Sequence, residues 1–91
     1  MKVENMMSPN VNSFAKVANQ FIIKNNDGTY FQSYQTIIAV KNIDGSVELD
    51  LNKWNYSRTT SKYRNIFLNE TTKETRAKIV SGEYILADLN G

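Results

Sequence analysis

The segment from Trp54 to Asn65 concentrates the residue types that bind anions. It holds three cationic, four hydroxyl-bearing and three aromatic side chains in one short stretch. Guanidinium, ammonium and hydroxyl groups bind phosphate, and so do the free backbone N–H groups at the start of a helix. Aromatic rings stack on nucleotide bases. We therefore predict a contact surface for phosphate or nucleic acid formed by Trp54, Tyr56, Arg58, Thr59, Thr60, Ser61, Lys62, Tyr63 and Arg64.

The same side chains also have a structural interpretation. Ser and Thr hydroxyls commonly cap helix N-termini, so residues 59–61 could serve only to start a helix. The three aromatic rings could close a small hydrophobic core instead of facing a partner. The sequence leaves both interpretations open.

One pair of acidic residues has a spacing that could support catalysis or metal binding. Glu48 and Asp50 lie two residues apart, on one face of a predicted strand. Carboxylates alone can hold magnesium or hydrolyse a glycosidic bond. Alternating polar residues are also the ordinary solvent-facing side of such a strand, and this is the interpretation that we adopt.

Other catalytic arrangements are excluded by composition. The chain has no histidine and no cysteine, which removes the usual general base, the thiolate nucleophile and the common zinc ligands. Its four glycines are scattered and form no phosphate-binding loop. We therefore predict a binding protein and not an enzyme, with no metal and no cofactor.

Chain length, composition and charge further restrict the class of protein. Ninety-one residues with 41% hydrophobic content are typical of one globular domain. No apolar run is long enough to span a membrane, and the first residues lack the apolar stretch of a signal peptide, so we expect a cytoplasmic protein. Net charge is +2, but seven of the 11 basic residues lie between Lys53 and Lys78, which favours an anionic partner.

The residue pattern predicts an α+β domain over residues 15–91, preceded by a flexible arm at residues 1–14. Asp-Gly pairs at residues 27–28 and 44–45 favour tight turns, with positive φ at glycine, in an antiparallel meander of about four strands. A helix pair then packs on one sheet face, and a last strand returns to the sheet. The predicted strands are residues 15–24, 29–34, 36–40, 46–51 and 84–89.

The two helices are predicted from spacing and caps. Tyr63, Ile66 and Phe67 lie at i, i+3 and i+4, the apolar stripe of a helix that ends near Asn69. Ser57, Thr59 and Thr60 are its candidate N-caps. For the second helix, Thr71 and Glu74 form a capping box, Ala77 and Val80 face inward, and Gly82 closes the C-terminus.

Two linked motifs lie in the middle of the chain. The first is Ser33-Tyr34-Gln35-Thr36-Ile37-Ile38-Ala39, and the second is Tyr56-Ser57-Arg58-Thr59-Thr60-Ser61-Lys62-Tyr63 followed by Phe67-Leu68. Together they resemble an uncharacterised family of short phage and plasmid proteins. Many relatives in that family carry histidine where this chain has Tyr63, which argues against an activity based on that imidazole or else marks this chain as a diverged member. The resemblance implies an accessory protein of a phage or mobile element, a class that acts on host defence or nucleic-acid metabolism.

Our leading hypothesis is a protein that engages nucleic acid, or a host ribonucleoprotein, through the Trp54–Arg64 segment. The alternative is a protein-directed, anti-defence inhibitor of a host nuclease, of the anti-CRISPR type, which would bind through aromatic anchors and an exposed sheet edge. An unpaired edge strand would also permit a homodimer.

Overall fold

A computed structural model describes residues 2–7 and 16–91, except for the side chains of Met7 and Lys16. The described chain forms one sheet and two helices. In chain order, the elements are β1 (Lys2–Met7), β2 (Lys16–Asn25), β3 (Gly28–Ser33), β4 (Thr36–Asn42), β5 (Val47–Asp50), α1 (Arg58–Leu68), α2 (Thr72–Ser81) and β6 (Tyr84–Ala87).

The six strands lie in the sheet in chain order, from β1 to β6. The first five pair antiparallel, which confirms the predicted meander. β6 pairs with β5 in parallel, because the two helices between them carry the chain back to the end at which β5 began. The sheet is therefore mixed, and the predicted α+β class is confirmed.

The first strand corrects the sequence analysis. Residues 2–7, expected to belong to a flexible arm, form β1 and pair with β2. Their alternation of apolar and polar residues is short and weak, so the pairing depends on β2 as a template and not on local pattern. The rest of the predicted arm, residues 1 and 8–14, lies outside the described residues.

Glycine is needed at the two predicted Asp-Gly turns for different physical reasons. Gly45 adopts φ 91°, the positive φ that the turn was predicted to need. Gly28 has φ 158°, which is nearly extended. A Cβ at Gly28 would collide with the Lys41 carbonyl oxygen, so glycine is required there by the close approach of β4 and not by a left-handed backbone.

The hydrophobic core lies between the sheet and the helices. Phe31, Ala39 and Leu49 project from the central strands to meet Tyr63 and Phe67 of α1. The rings of Phe31 and Phe67 lie 5.8 Å apart, a separation at which tilted aromatic pairs attract. This packing fixes the position of α1, and with it the segment that precedes it.

Both helix starts follow the sequence signals. Ser57 is the N-cap of α1 and accepts from the Thr60 backbone N–H, while Thr71 and Glu74 form the predicted capping box of α2. Gly82 closes α2 with φ 84°.

The predicted inner face of α2 is wrong. Ala77 is exposed and Val80 is 83% exposed, whereas Thr75 is buried and Ile79 is half-buried. Thr75 faces inward because its hydroxyl donates to both the Glu70 carboxylate and the Thr71 carbonyl, so a polar residue occupies the position that the apolar pattern had assigned elsewhere.

In the described part of the chain, the helices are too short and too polar to cross a bilayer.

Candidate functional site: the cationic junction before helix α1

The loop between β5 and α1 positions a set of cations and aromatic rings around the first helix. Ser57 starts α1, so Arg58 and Lys62 lie one turn apart on the same side of the helix. Both are exposed, because Thr60, Tyr63 and Phe67 occupy the opposite, buried side.

Arg64 anchors the loop from beneath. Its side chain is 0% exposed, and Nη1 donates to the Trp54 carbonyl at 2.6 Å and to Asn55 Oδ1 at 3.0 Å. Nη2 donates to Thr72 Oγ1 at 2.7 Å and to Asn65 Oδ1 at 2.9 Å. One guanidinium therefore joins the loop, α1 and the start of α2 through neutral oxygen atoms.

Trp54 carries two guanidinium groups on its ring. The Arg64 Cζ lies 5.1 Å from the ring centroid, and the Arg76 Cζ lies 5.3 Å from it, both within the range of cation–π attraction. Burial lowers the pKa of Arg64, the charge of Glu70 opposes that effect, and the charge of Arg76 adds to it. The arginines thus repel each other while the ring attracts both.

Two further aromatic residues are accessible near this end of the sheet. Tyr56 is 46% exposed, and the Lys53 ammonium lies 5.0 Å from its ring centroid. Tyr34 occupies the β3–β4 turn with φ 57° and is also exposed. The turn is close to α1, since the neighbouring Ser33 hydroxyl hydrogen-bonds the Thr60 hydroxyl at 3.0 Å. A tyrosine with positive φ is uncommon and is often found at functional sites.

The structure divides the predicted contact residues into two groups. Thr60, Tyr63 and Arg64 are buried, so they support the junction and cannot form its surface; for these three, the contact prediction is corrected. The residues left accessible are Trp54 and Ser61, which are half-buried, and Tyr56, Arg58, Thr59 and Lys62, which are exposed.

Arg76, Lys53 and Tyr34 were missed by the sequence analysis. Lys53 and Arg76 belong to the basic block between Lys53 and Lys78, which was a usable signal, but nothing local shows that α2 returns to Trp54. We call the set Lys53, Trp54, Tyr56, Arg58, Lys62 and Arg76 the cationic junction.

The cationic junction lacks acidic partners. Among the residues that the structure describes, none of its cations forms an ion pair with a carboxylate, and neither does Arg64. Lys78, a basic residue of α2 outside the set, behaves differently, because it pairs with Glu70 at 2.8 Å. Within residues 2–7 and 16–91, the cations of the junction thus have no carboxylate as an ion-pair partner.

The carboxylate of Glu70 is buried and forms the ion pair with Lys78. It accepts hydrogen bonds from Lys78 Nζ at 2.8 Å, the Tyr84 hydroxyl at 2.7 Å and the Thr75 hydroxyl. Burial opposes its ionisation, but these donors outweigh burial and hold the pKa of Glu70 below its ordinary value of 4.5. As the pH falls, Glu70 therefore binds a proton at a higher pH in the unfolded chain than in the folded chain.

This linkage predicts a pH-dependent stability. The contribution of Glu70 is complete above pH 4.5 and is lost as the pH falls further, through the folded-state pKa. Glu70→Gln should lower the free energy of unfolding by about 2 kcal/mol at neutral pH, and the difference from wild type should shrink in acid. Urea denaturation at several pH values measures it. Glu83→Gln, at an exposed carboxylate 4.0 Å from Lys78, is the control and should stay within about 0.5 kcal/mol of wild type. An unchanged gap at low pH would contradict the assignment.

In the acidic pair, Asp50 does not face solvent. Asp50 is 2% exposed, and it accepts from the backbone N–H groups of Asn52, Lys53 and Leu89 and from Asn90 Nδ2. The solvent-facing interpretation is therefore wrong for Asp50. Residues after β6 cover this part of the sheet, and Asp50 binds them to the loop that precedes α1. Glu48 is half-buried and accepts from Asn42 Nδ2 at 2.9 Å.

Comparison with known proteins identifies a family. Neither the curated proteins nor the solved structures contain a match to this chain. Residues 1–83 match the sequence model of a family of unknown function, DUF8033. The match spans most of the chain, including the cationic junction, and the chain therefore belongs to the DUF8033 family.

Proposed function

We propose that this protein acts by binding, and that the cationic junction binds nucleic acid, either free or within a nucleoprotein. The observation that carries the proposal is the pair of guanidinium groups on the Trp54 ring, neither of which has a carboxylate partner among the described residues. Arg64 is buried and Arg76 is exposed, so only Arg76 of this pair can meet a ligand. Gathering like charges costs free energy, and a phosphate placed against Arg76 would offset part of that cost.

Charge at the surface supports the same partner. Arg58 and Lys62 extend the positive surface along the outer side of α1. The helix N-terminus adds partial positive charge and the backbone N–H groups of its first turn. Phosphates spaced along a strand match a row of separate cations better than a single small anion does.

The accessible rings favour a single strand over a duplex. Tyr34 and Tyr56 are exposed, and every unpaired base offers a face on which an aromatic ring can stack. Bases in a duplex are already stacked on each other and are not available in this way. The proposed ligand is therefore single-stranded DNA or RNA, bound without strong sequence preference.

The resemblance to short phage and plasmid proteins adds a setting to the proposal. In that setting the protein is an accessory factor of a mobile element, acting in the host cytoplasm on nucleic acid or on a host ribonucleoprotein. Composition supports a binding role, since the chain lacks histidine and cysteine.

Fluorescence anisotropy with labelled oligonucleotides tests the proposal. We expect binding of short single-stranded DNA and RNA at low salt, weaker binding of a duplex of the same length, and a steep loss of affinity as salt rises. A strand with abasic sites has the phosphates without the bases and should bind more weakly than the intact strand. If none of these oligonucleotides binds at low salt, the proposal is wrong.

A further inference from the structure

A second site lies beside the C-terminal half of α1, next to strands β1 to β4. Between α1 and strands β1 to β4 there is an open groove of about 410 Å³, within the size range of small-molecule sites. It is separate from the cationic junction, because it borders Ile66 and Phe67 near the C-terminal half of α1 and not the residues around Trp54.

Four of the described residues that line the groove are apolar, namely Met6, Ile22, Ile66 and Phe67, and the other four are polar or charged. Met6 and Phe67 form part of the hydrophobic core, and Ile22 packs against that core. Ile66, on the rim, is 42% exposed. An isoleucine on the accessible side of a helix beside a groove leaves apolar surface in water, and an apolar ligand would remove that surface from solvent.

One cation, Lys41, borders the groove and is exposed. The Lys41 ammonium is 4.6 Å from the centroid of the Phe67 ring, and partial burial lowers the pKa of Lys41 while the charge of Glu70 opposes that effect. Lys41 forms no ion pair with any carboxylate in the described residues. Among the described residues that line the groove, Glu4 is the one carboxylate, and Lys2 pairs with it at 2.8 Å. The described part of the groove therefore offers a positive charge with no ion-pair partner beside an apolar surface.

We propose that this groove binds a small amphipathic carboxylate, an aliphatic acid whose head group pairs with Lys41 and whose tail lies on Met6, Ile22, Ile66 and Phe67. The carboxylate supplies the missing counter-charge to Lys41. The tail covers the side chains that the helices leave open.

Octanoate is the probe for this site, with octanol and octylamine as uncharged and oppositely charged analogues. Titration of isotope-labelled protein, followed by NMR, should move the methyl resonances of Ile22 and Ile66 with octanoate. Octanol should bind roughly tenfold more weakly, and octylamine more weakly still. If octanoate moves no groove resonance at millimolar concentration, or octanol binds as well as octanoate, the proposal is overturned.

Variants at the rim give a matched pair. Ile66→Glu and Ile66→Lys remove the same apolar side chain at an exposed position and introduce opposite charges. The glutamate variant should abolish octanoate binding, whereas the lysine variant should retain part of it. Lys41→Met should weaken octanoate roughly tenfold, and Lys73→Met, at an exposed position on α2, should not. Equal binding by the two Ile66 variants, or no effect of Lys41→Met, would show that charge pairing does not operate in the groove.

Discussion

Replacing Arg64 with alanine is expected to lower the free energy of unfolding by about 3 kcal/mol or more. The substitution would remove the donors to the Trp54 carbonyl, Asn55, Asn65 and Thr72. It would also leave a cavity beneath the Trp54 ring, against which the guanidinium lies. Urea denaturation followed by tryptophan fluorescence measures the loss.

Two further variants separate the causes of that loss. Arg64→Lys keeps the charge but lacks the planar fork that reaches several acceptors at once, so it should fall between wild type and alanine. Arg76→Ala removes the other guanidinium on Trp54, but Arg76 is exposed, so a loss of only about 0.5 kcal/mol is expected. An Arg64→Ala protein as stable as wild type would show that this residue does not hold the junction together.

The double variant Arg58→Ala/Lys62→Ala should weaken binding of single-stranded DNA roughly ten- to hundredfold at low salt. Both residues are exposed, so the fold should be retained and thermal melting should be nearly unchanged. The dependence of log affinity on log salt should become shallower by about one to two, because fewer counterions are released on binding. Anisotropy titrations over a salt series give both quantities.

A control with the same net charge makes that result specific. Lys2→Ala/Lys24→Ala also removes two positive charges. The two residues lie opposite each other on the paired strands β1 and β2, away from the cationic junction. It should leave affinity within about threefold of wild type, since only long-range charge changes. If both double variants weaken binding equally, net charge and not the junction determines the interaction.

Local signals predicted much of this fold. The capping box at Thr71 and Glu74, the N-cap at Ser57 and the turn at Gly45 each follow from chemistry within a few residues. β1 could not be found in this way, because its stability comes from pairing with β2. The inner face of α2 was missed because Thr75 is held inside by hydrogen bonds to Glu70 and Thr71.

The sequence contains a signal for the burial of Arg64, but the charge of this residue favoured a surface position. Thr60, Tyr63, Arg64 and Phe67 lie at i, i+3, i+4 and i+7, which is the spacing of one helix face, and all four are buried. The prediction placed Arg64 on the contact surface because guanidinium groups bind phosphate. Burial of an isolated charge is costly. The structure offsets the cost with neutral acceptors and the Trp54 ring, and these come from distant parts of the chain.

The most direct test of the central claim is to map where a single strand contacts the protein. Isotope-labelled protein titrated with a short, unlabelled single-stranded DNA should show shifted resonances at Lys53, the Trp54 indole, Arg58, Lys62 and Arg76. Resonances of β1 and of the groove beside Ile66 should remain in place. Shifts confined to β1 or the groove, or no shifts at all, would contradict the assignment of the cationic junction as the nucleic-acid site.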